Sequence, residues 1–201
     1  MHTKWNERYS GEHYVYGTEP NRFLSSVAHL LKPRSNVLCL AEGEGRNSVF
    51  LAKQGHHVSA FDISTTGREK AQRLAKENNV FVQYEICDVN DYQFGYEKWD
   101  AIISIFAHTS SDIRDKVLPK IAKALKGGGF FILEAFHPNQ VEHKYNTGGP
   151  KDVDWLVSLE ELCDFFVGFE IIHAKEIERA VTEGLFHSGK AYVTQFVCRK
   201  F

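Results

Sequence analysis

Gly43 and Gly45 stand two residues apart among carboxylates, in the run Leu40-Ala41-Glu42-Gly43-Glu44-Gly45-Arg46-Asn47. Residues 36–41 before it form a short apolar run, and an amphipathic stretch reaching Gly55 follows. The segment therefore reads as the turn between a buried strand and a helix. Glycine in such a turn lets the backbone approach a ligand with no Cβ in between. Asp62 ends the next strand-like run, where a carboxylate can accept two ribose hydroxyl hydrogens, and Asp88 ends the third, beside the place of an adenine edge. Together the three strand ends describe a nucleoside site; each alone would be an ordinary turn glycine or a solvated acid.

Electrostatics separates two nucleoside cofactors. NAD presents an anionic pyrophosphate to a helix N-terminus. Here that turn holds Glu42 and Glu44, and Ser48 stands where a dinucleotide fingerprint has its third glycine. Like charges at that distance are costly. S-adenosylmethionine carries a sulfonium and an ammonium instead, which suit an acidic turn. The rival readings are an NAD-dependent oxidoreductase and a non-catalytic nucleoside-binding module. No Gly-Lys-Ser/Thr follows the glycines, so a phosphate-binding P-loop is excluded.

The elements that must position these residues alternate. Strand-like runs cover residues 36–41, 57–63, 81–87, 101–107, 130–136, 169–177 and 190–198. Helical patterns occupy 21–32, the stretch up to Gly55, the Ala71-Leu74-Ala75-Asn78 face, and Ile113 to Leu125. Pro119 predicts a kink or a late start in the last of these, and Gly127 to Gly129 predict its end. Residues 137–157 read as a long loop, 158–166 as a short helix, and 178–189 as a polar connection between the final strands. The pattern is α/β: a doubly wound, mostly parallel seven-stranded sheet with an antiparallel C-terminal strand.

The chain has 201 residues, 43% hydrophobic and 25% charged, which suits one domain with a substantial core, residues 1–19 forming an N-terminal arm or lid. Twenty-four basic side chains against 26 acidic ones leave a net charge of -2, without the basic excess of a nucleic-acid binder. Cys39, Cys87, Cys163 and Cys198 form no C-x-x-C pair; no metal site is expected, and free thiols suit the cytoplasm. No apolar run is long enough to span a bilayer, and the opening residues are charged where a signal peptide is apolar.

The stretch Gly45-Arg46-Asn47-Ser48-Val49-Phe50-Leu51-Ala52, with Gly55 and the strand ending at Asp62, resembles a class I S-adenosylmethionine-dependent methyltransferase, most closely the tellurite-resistance (TehB-like) branch. The resemblance implies a Rossmann-like methyltransferase fold. It assigns the methionine part of the cofactor to Ala41, Glu42, Gly43, Gly45 and Asn47, the ribose to Asp62 and Ile63, and the adenine to Asp88 and Val89. Ser104 to Phe106 would line the methyl-donor side. The family pattern has an acid two places before its first glycine, whereas this chain has Cys39 and Ala41; the ammonium then falls to Glu42 or to a backbone carbonyl. Ser104-Ile105-Phe106-Ala107-His108 stands where base-amino methyltransferases have an Asp/Asn-Pro-Pro-aromatic signature, which disfavours a nucleic-acid acceptor.

For the acceptor, a hydroxyl or protonated thiol needs a base and a soft anion does not. Among ten histidines, His108 and His137 follow the fourth and fifth strands, and His187 lies in the polar connection. His187, placed where TehB-like enzymes have a histidine, and Arg179, a candidate anion clamp, complete the catalytic set with His108. The bland alternatives are solvated loop histidines and a surface ion pair for Arg179. Tyr14 and Tyr16 are read as lid residues, and Trp5 as packing. The expected acceptor is a small molecule; a chalcogen oxyanion or a thiol follows from the resemblance alone.

Overall fold

The computed structural model of the chain describes residues 2–184 and 186–201. Seven strands form one sheet: β1 (Asn36–Leu40), β2 (His57–Asp62), β3 (Val82–Ile86), β4 (Trp99–Ile105), β5 (Leu125–Phe136), β6 (Phe169–Glu183) and β7 (His187–Lys200). Their order is β3-β2-β1-β4-β5-β7-β6, with β7 antiparallel to both neighbours and the remaining pairs parallel. The sheet is covered on both faces, which explains why the central strands read as mostly apolar runs. From β1, Val37 and Cys39 enter one core with Leu24, Leu51 and Leu74, while Leu38 and Leu40 enter the other with Ile121, Phe131 and Phe166. The crossover helices are α3 (Arg46–Lys53), α4 (Thr65–Glu77) and α5 (Ser111–Ala124).

Three expectations are corrected. Residues 178–189 are not a loop: β6 and β7 stay paired from Phe169↔Lys200 out to Glu183↔His187. Apolar alternation fails there because two inward positions, Arg179 and Glu183, are charged and pair with one another on either side of the buried Val181. α5 does not start late but runs from Ser111 through Pro119, which sits at an exposed position. Gly127 to Gly129 do not end that helix but lie within β5. The stretch 137–157 also holds a short helix, α6 (Asn139–Glu142). Among the described residues no helix is long and apolar enough to cross a membrane.

The N-terminal segment is docked. It begins with α1 (His2–Arg8) and leads past Tyr16 to α2 (Arg22–Val27). Asn6 accepts hydrogen bonds from the Ser64 and Thr65 hydroxyls and the Thr66 N–H at the start of α4. Lys70, on α4 and only 3% exposed, donates to the carbonyls of Tyr9, Gly11 and His13 and pairs with Glu44 at 2.6 Å. Glu44 in turn accepts from the Val15 N–H at 2.7 Å. A buried ammonium is thus compensated by one carboxylate and three carbonyls.

Removing that ammonium leaves Glu44 buried and unpaired and the arm without its tether. Lys70→Met is expected to lower unfolding stability by about 3–5 kcal/mol and to make residues 2–20 the first site of limited proteolysis. Denaturant titration and cleavage mapping check this; an arm as protected as in the wild type would rule the tether out.

Candidate active site

The site lies at the carboxyl ends of β1, β2 and β4, where an open α/β sheet leaves its crevice. Two non-glycine residues there adopt left-handed backbone: Ala41 (φ 44°), straight after β1, and Phe106 (φ 51°), straight after β4. Such conformations are strained and concentrate at functional sites. Ala41 is exposed at the rim; Phe106 is half-buried and donates its N–H to Glu134 O at 2.7 Å.

Glu42 sets the electrostatics of the turn. Its Oε1 accepts from the N–H groups of Asn47 (2.9 Å) and Ser48 (2.6 Å), so the first turn of α3 is capped by the chain's own carboxylate. Burial raises the Glu42 pKa to about 7, against the opposing pull of those N–H donors and of Arg46. Glu44 belongs instead to the Lys70 tether. Gly43 donates to Asp62 Oδ2 at 3.0 Å and accepts from the Tyr84 hydroxyl at 2.6 Å. A side chain on Gly43 would strike the Tyr9 hydroxyl, so the arm rests directly on this turn. Gly45 (φ 89°) packs against Ala71 of α4 with no room for a Cβ.

The remaining cofactor candidates spread along the same edge. Asp62, 6% exposed, also accepts from Ser64 N at 2.8 Å, so its carboxylate orders the turns after both β1 and β2. Ile63 beside it is half-buried. Asp88 and Val89 follow β3; Asp88 accepts from Asn90 N at 2.9 Å, and Val89 packs on the core under it. Ser104, 7% exposed, lies next to the carboxyl end of β4. Asn47 turns inward, its Oδ1 taking the Asn21 N–H at 2.9 Å.

The three catalytic candidates have different fates. Arg179 is not a free clamp: it makes a bidentate pair with Glu134 (2.8 and 2.6 Å) and a third bond to Glu183 (2.8 Å). Arg46 pairs with the other oxygen of Glu183 at 2.5 Å. Asn21 and Gln195 donate into the same carboxylates, completing a network of two cations and two anions from α2, α3, β5, β6 and β7. His108 accepts the Phe136 N–H on Nε2 at 3.0 Å and hydrogen-bonds the Phe106 backbone; burial lowers its pKa to about 4. It thereby links the ends of β4 and β5. His137 pairs with Glu176 at 3.1 Å.

His187 opens β7 and is 7% exposed, surrounded by the rings of Tyr16 (4.5 Å), Phe106 (4.7 Å) and Phe136 (5.3 Å). Burial, with Arg46 nearby, lowers its pKa to about 3, so it stays neutral at any physiological pH. Its Nδ1 is buried without a hydrogen-bond partner among the described residues. A chamber of about 260 Å³ opens beside it, lined also by Arg8, Tyr16 and Phe186. The contacts of Arg8 and Lys70 beside the site were not legible, because the arm shows no period and its partners lie far along the chain. No group of described His, Cys, Asp and Glu residues could hold a metal ion.

Residues 37–129 match the family model described as a methyltransferase domain. Over 137 residues the chain is 28% identical to phosphoethanolamine N-methyltransferase 2 of Caenorhabditis elegans, covering 66% of this chain but only 31% of that protein. The chain thus spans about a third of the length of that curated relative. A structure solved in work on the conversion of a disulfide bond into a thioacetal group during echinomycin biosynthesis superposes with a TM-score of 0.76 at 20% identity, covering 100% of this chain and 93% of its own. TehB from Haemophilus influenzae gives 0.74 at 17% identity, covering 100% and 67%. Residues 37–129 are thus similar to a methyltransferase domain, and the fold of the chain is that of these solved structures, TehB among them.

S-adenosylmethionine is the cofactor that the resemblance implies, and the residues of the turn fit it. The α3 N–H groups that a pyrophosphate would need are already taken by Glu42, and a carboxylate held near neutrality by burial is relieved by an arriving cation. The affinity for S-adenosylmethionine should therefore rise about tenfold from pH 6 to pH 8 as Glu42 ionises. Glu42→Gln, which keeps the cap acceptor, should remove that rise. Calorimetric titration at three pH values checks both; an equal pH dependence in the variant would sever Glu42 from the cation.

Proposed function

We propose that the protein transfers a methyl group from S-adenosylmethionine to a small acceptor that reaches the site as a soft nucleophile or an anion. The single observation that carries the reading is the internal cap on α3, which makes the glycine turn a site for a cation and not for a phosphate. When bound, the cofactor supplies a methyl carbon already activated by its sulfonium. What remains for the protein is alignment in a dry site.

In this reading Ala41, Glu42 and Gly43 hold the methionine end, Asp62 and Ile63 the ribose, Asp88 and Val89 the adenine, and Ser104 and Phe106 the donor side. Gly45 and Asn47 act through the backbone: Gly45 by close packing, Asn47 by tying α2 to α3. His187 offers a neutral ring to the acceptor, with Nε2 on the side of the chamber-lining Gly148. With a pKa of about 3 it is a poor general base. An acceptor that still needs deprotonation is thus ill served, while an anionic oxygen or chalcogen, or a thiolate, needs only orientation. The sulfur chemistry named for one structural neighbour is compatible with a thiol acceptor.

Two measurements test this. Titration with S-adenosylmethionine, S-adenosylhomocysteine and NAD should give binding by the first two alone; NAD alone binding would favour the oxidoreductase. With an acceptor found by screening for S-adenosylhomocysteine release, the pH-rate profile between pH 6 and 9 should follow the acceptor's own ionisation and that of Glu42, with no inflection from His187 or His108. His187→Asn should lower turnover and spare cofactor affinity. An inflection near pH 6.5 that disappears in His187→Asn would restore the histidine as the base.

A further inference from the structure

Arg179 and Arg46 are both neutralised by Glu134 and Glu183, so neither offers a charge to an incoming anion. Arg8, the last residue of α1, is in the opposite position. It lines the 260 Å³ chamber together with His187, and no acidic residue is among the side chains that line it. Among the described residues Arg8 forms no ion pair. Its guanidinium is fixed by other means: Nη1 donates to the Tyr16 hydroxyl at 3.1 Å, and its centre lies 4.9 Å from the Phe186 ring and 5.6 Å from the Trp5 ring. A planar cation stacked between two rings keeps several N–H donors for a ligand.

His187 stands at the same place. Its ring forms part of the chamber wall with Nε2 on the side of Gly148, another lining residue, while Nδ1 is buried without a hydrogen-bond partner among the described residues. Tyr16, Phe186, Asn146 and Ser188 complete the side-chain lining, so Arg8 has aromatic and uncharged polar neighbours there and no competing carboxylate.

We propose that Arg8 is the residue that recognises the acceptor: its guanidinium binds the anionic group of a small acceptor in the chamber beside His187, the role the sequence suggested for Arg179. This rests on the methyltransferase reading above and adds the residue that selects the charge of the acceptor. Tyr9, the next residue, sits against Gly43 of the cofactor turn. One segment of the arm therefore presents the cation to the acceptor and touches the cofactor turn.

The test uses the full chain loaded with S-adenosylhomocysteine and titrated with sodium selenite at low salt, read by calorimetry. The wild type is expected to bind selenite. Arg8→Met should weaken that binding about tenfold to a hundredfold, the scale of a lost charge-assisted hydrogen bond, with Arg8→Lys in between. S-adenosylhomocysteine affinity should stay within about twofold, and the unfolding midpoint should not move, because the Arg8 side chain is only half-buried. Equal selenite affinity in Arg8→Met overturns the proposal. So does a parallel loss of S-adenosylhomocysteine affinity, which would assign Arg8 to the cofactor's carboxylate, and so does a loaded wild type that binds no selenite. Failure of S-adenosylhomocysteine itself to bind the wild type would instead overturn the methyltransferase reading on which this one stands.

Discussion

A helix N-terminus that is filled by its own chain governs this site. The free N–H groups at the start of α3 would attract any anion, and in nucleotide-binding sheets they hold phosphate. Here Glu42 occupies two of them, and its burial holds it on the edge of ionisation. Two properties follow from that one contact. Phosphate meets a carboxylate in place of those two donors, while a cation meets a group whose charge it stabilises. The acid that the family pattern has on the strand is absent, with Cys39 buried in its place, and the turn itself supplies a carboxylate.

The four charges beside that turn have a different task. Glu134, Glu183, Arg46 and Arg179 sum to zero and are closed by Asn21 and Gln195. A buried network of this kind contributes little net stability relative to apolar packing, and breaking any member leaves another charge stranded. Its effect here is positional. Five elements converge on two carboxylates, so the tip of the β6–β7 hairpin, with His187, is held over the end of β4. The two arginines most prominent near the site in the sequence are consumed in holding it there.

Much of the fold was legible in the sequence because its strands are buried on both faces. Val37 to Leu40 is apolar throughout and Ala101 to Ile105 is apolar but for Ser104, and the glycine turn follows the first of them. The hairpin beyond Glu178 was not legible, since its inward residues include Arg179 and Glu183, and alternation of hydrophobicity is the signal that a strand normally gives. The arm was read only in part. Its aromatic residues stand out, but what fixes them is Lys70, more than fifty residues away, together with glycines that leave room for Tyr9. The histidines show the same division. Their positions at strand ends were visible, whereas the burial of His108 and its bond from the Phe136 N–H depend on contacts that no local pattern encodes.

The grip of Lys70 on the arm reads only main-chain oxygen, at Tyr9, Gly11 and His13. Every amino acid supplies that atom, and Gly11, Glu12 and His13 project into solvent. Substitutions in this short span can accumulate without loosening the anchor. The segment is therefore a mount whose fastening is indifferent to what it carries, and flanking positions can be exchanged to fit another small molecule while the glycine turn beneath keeps its cover.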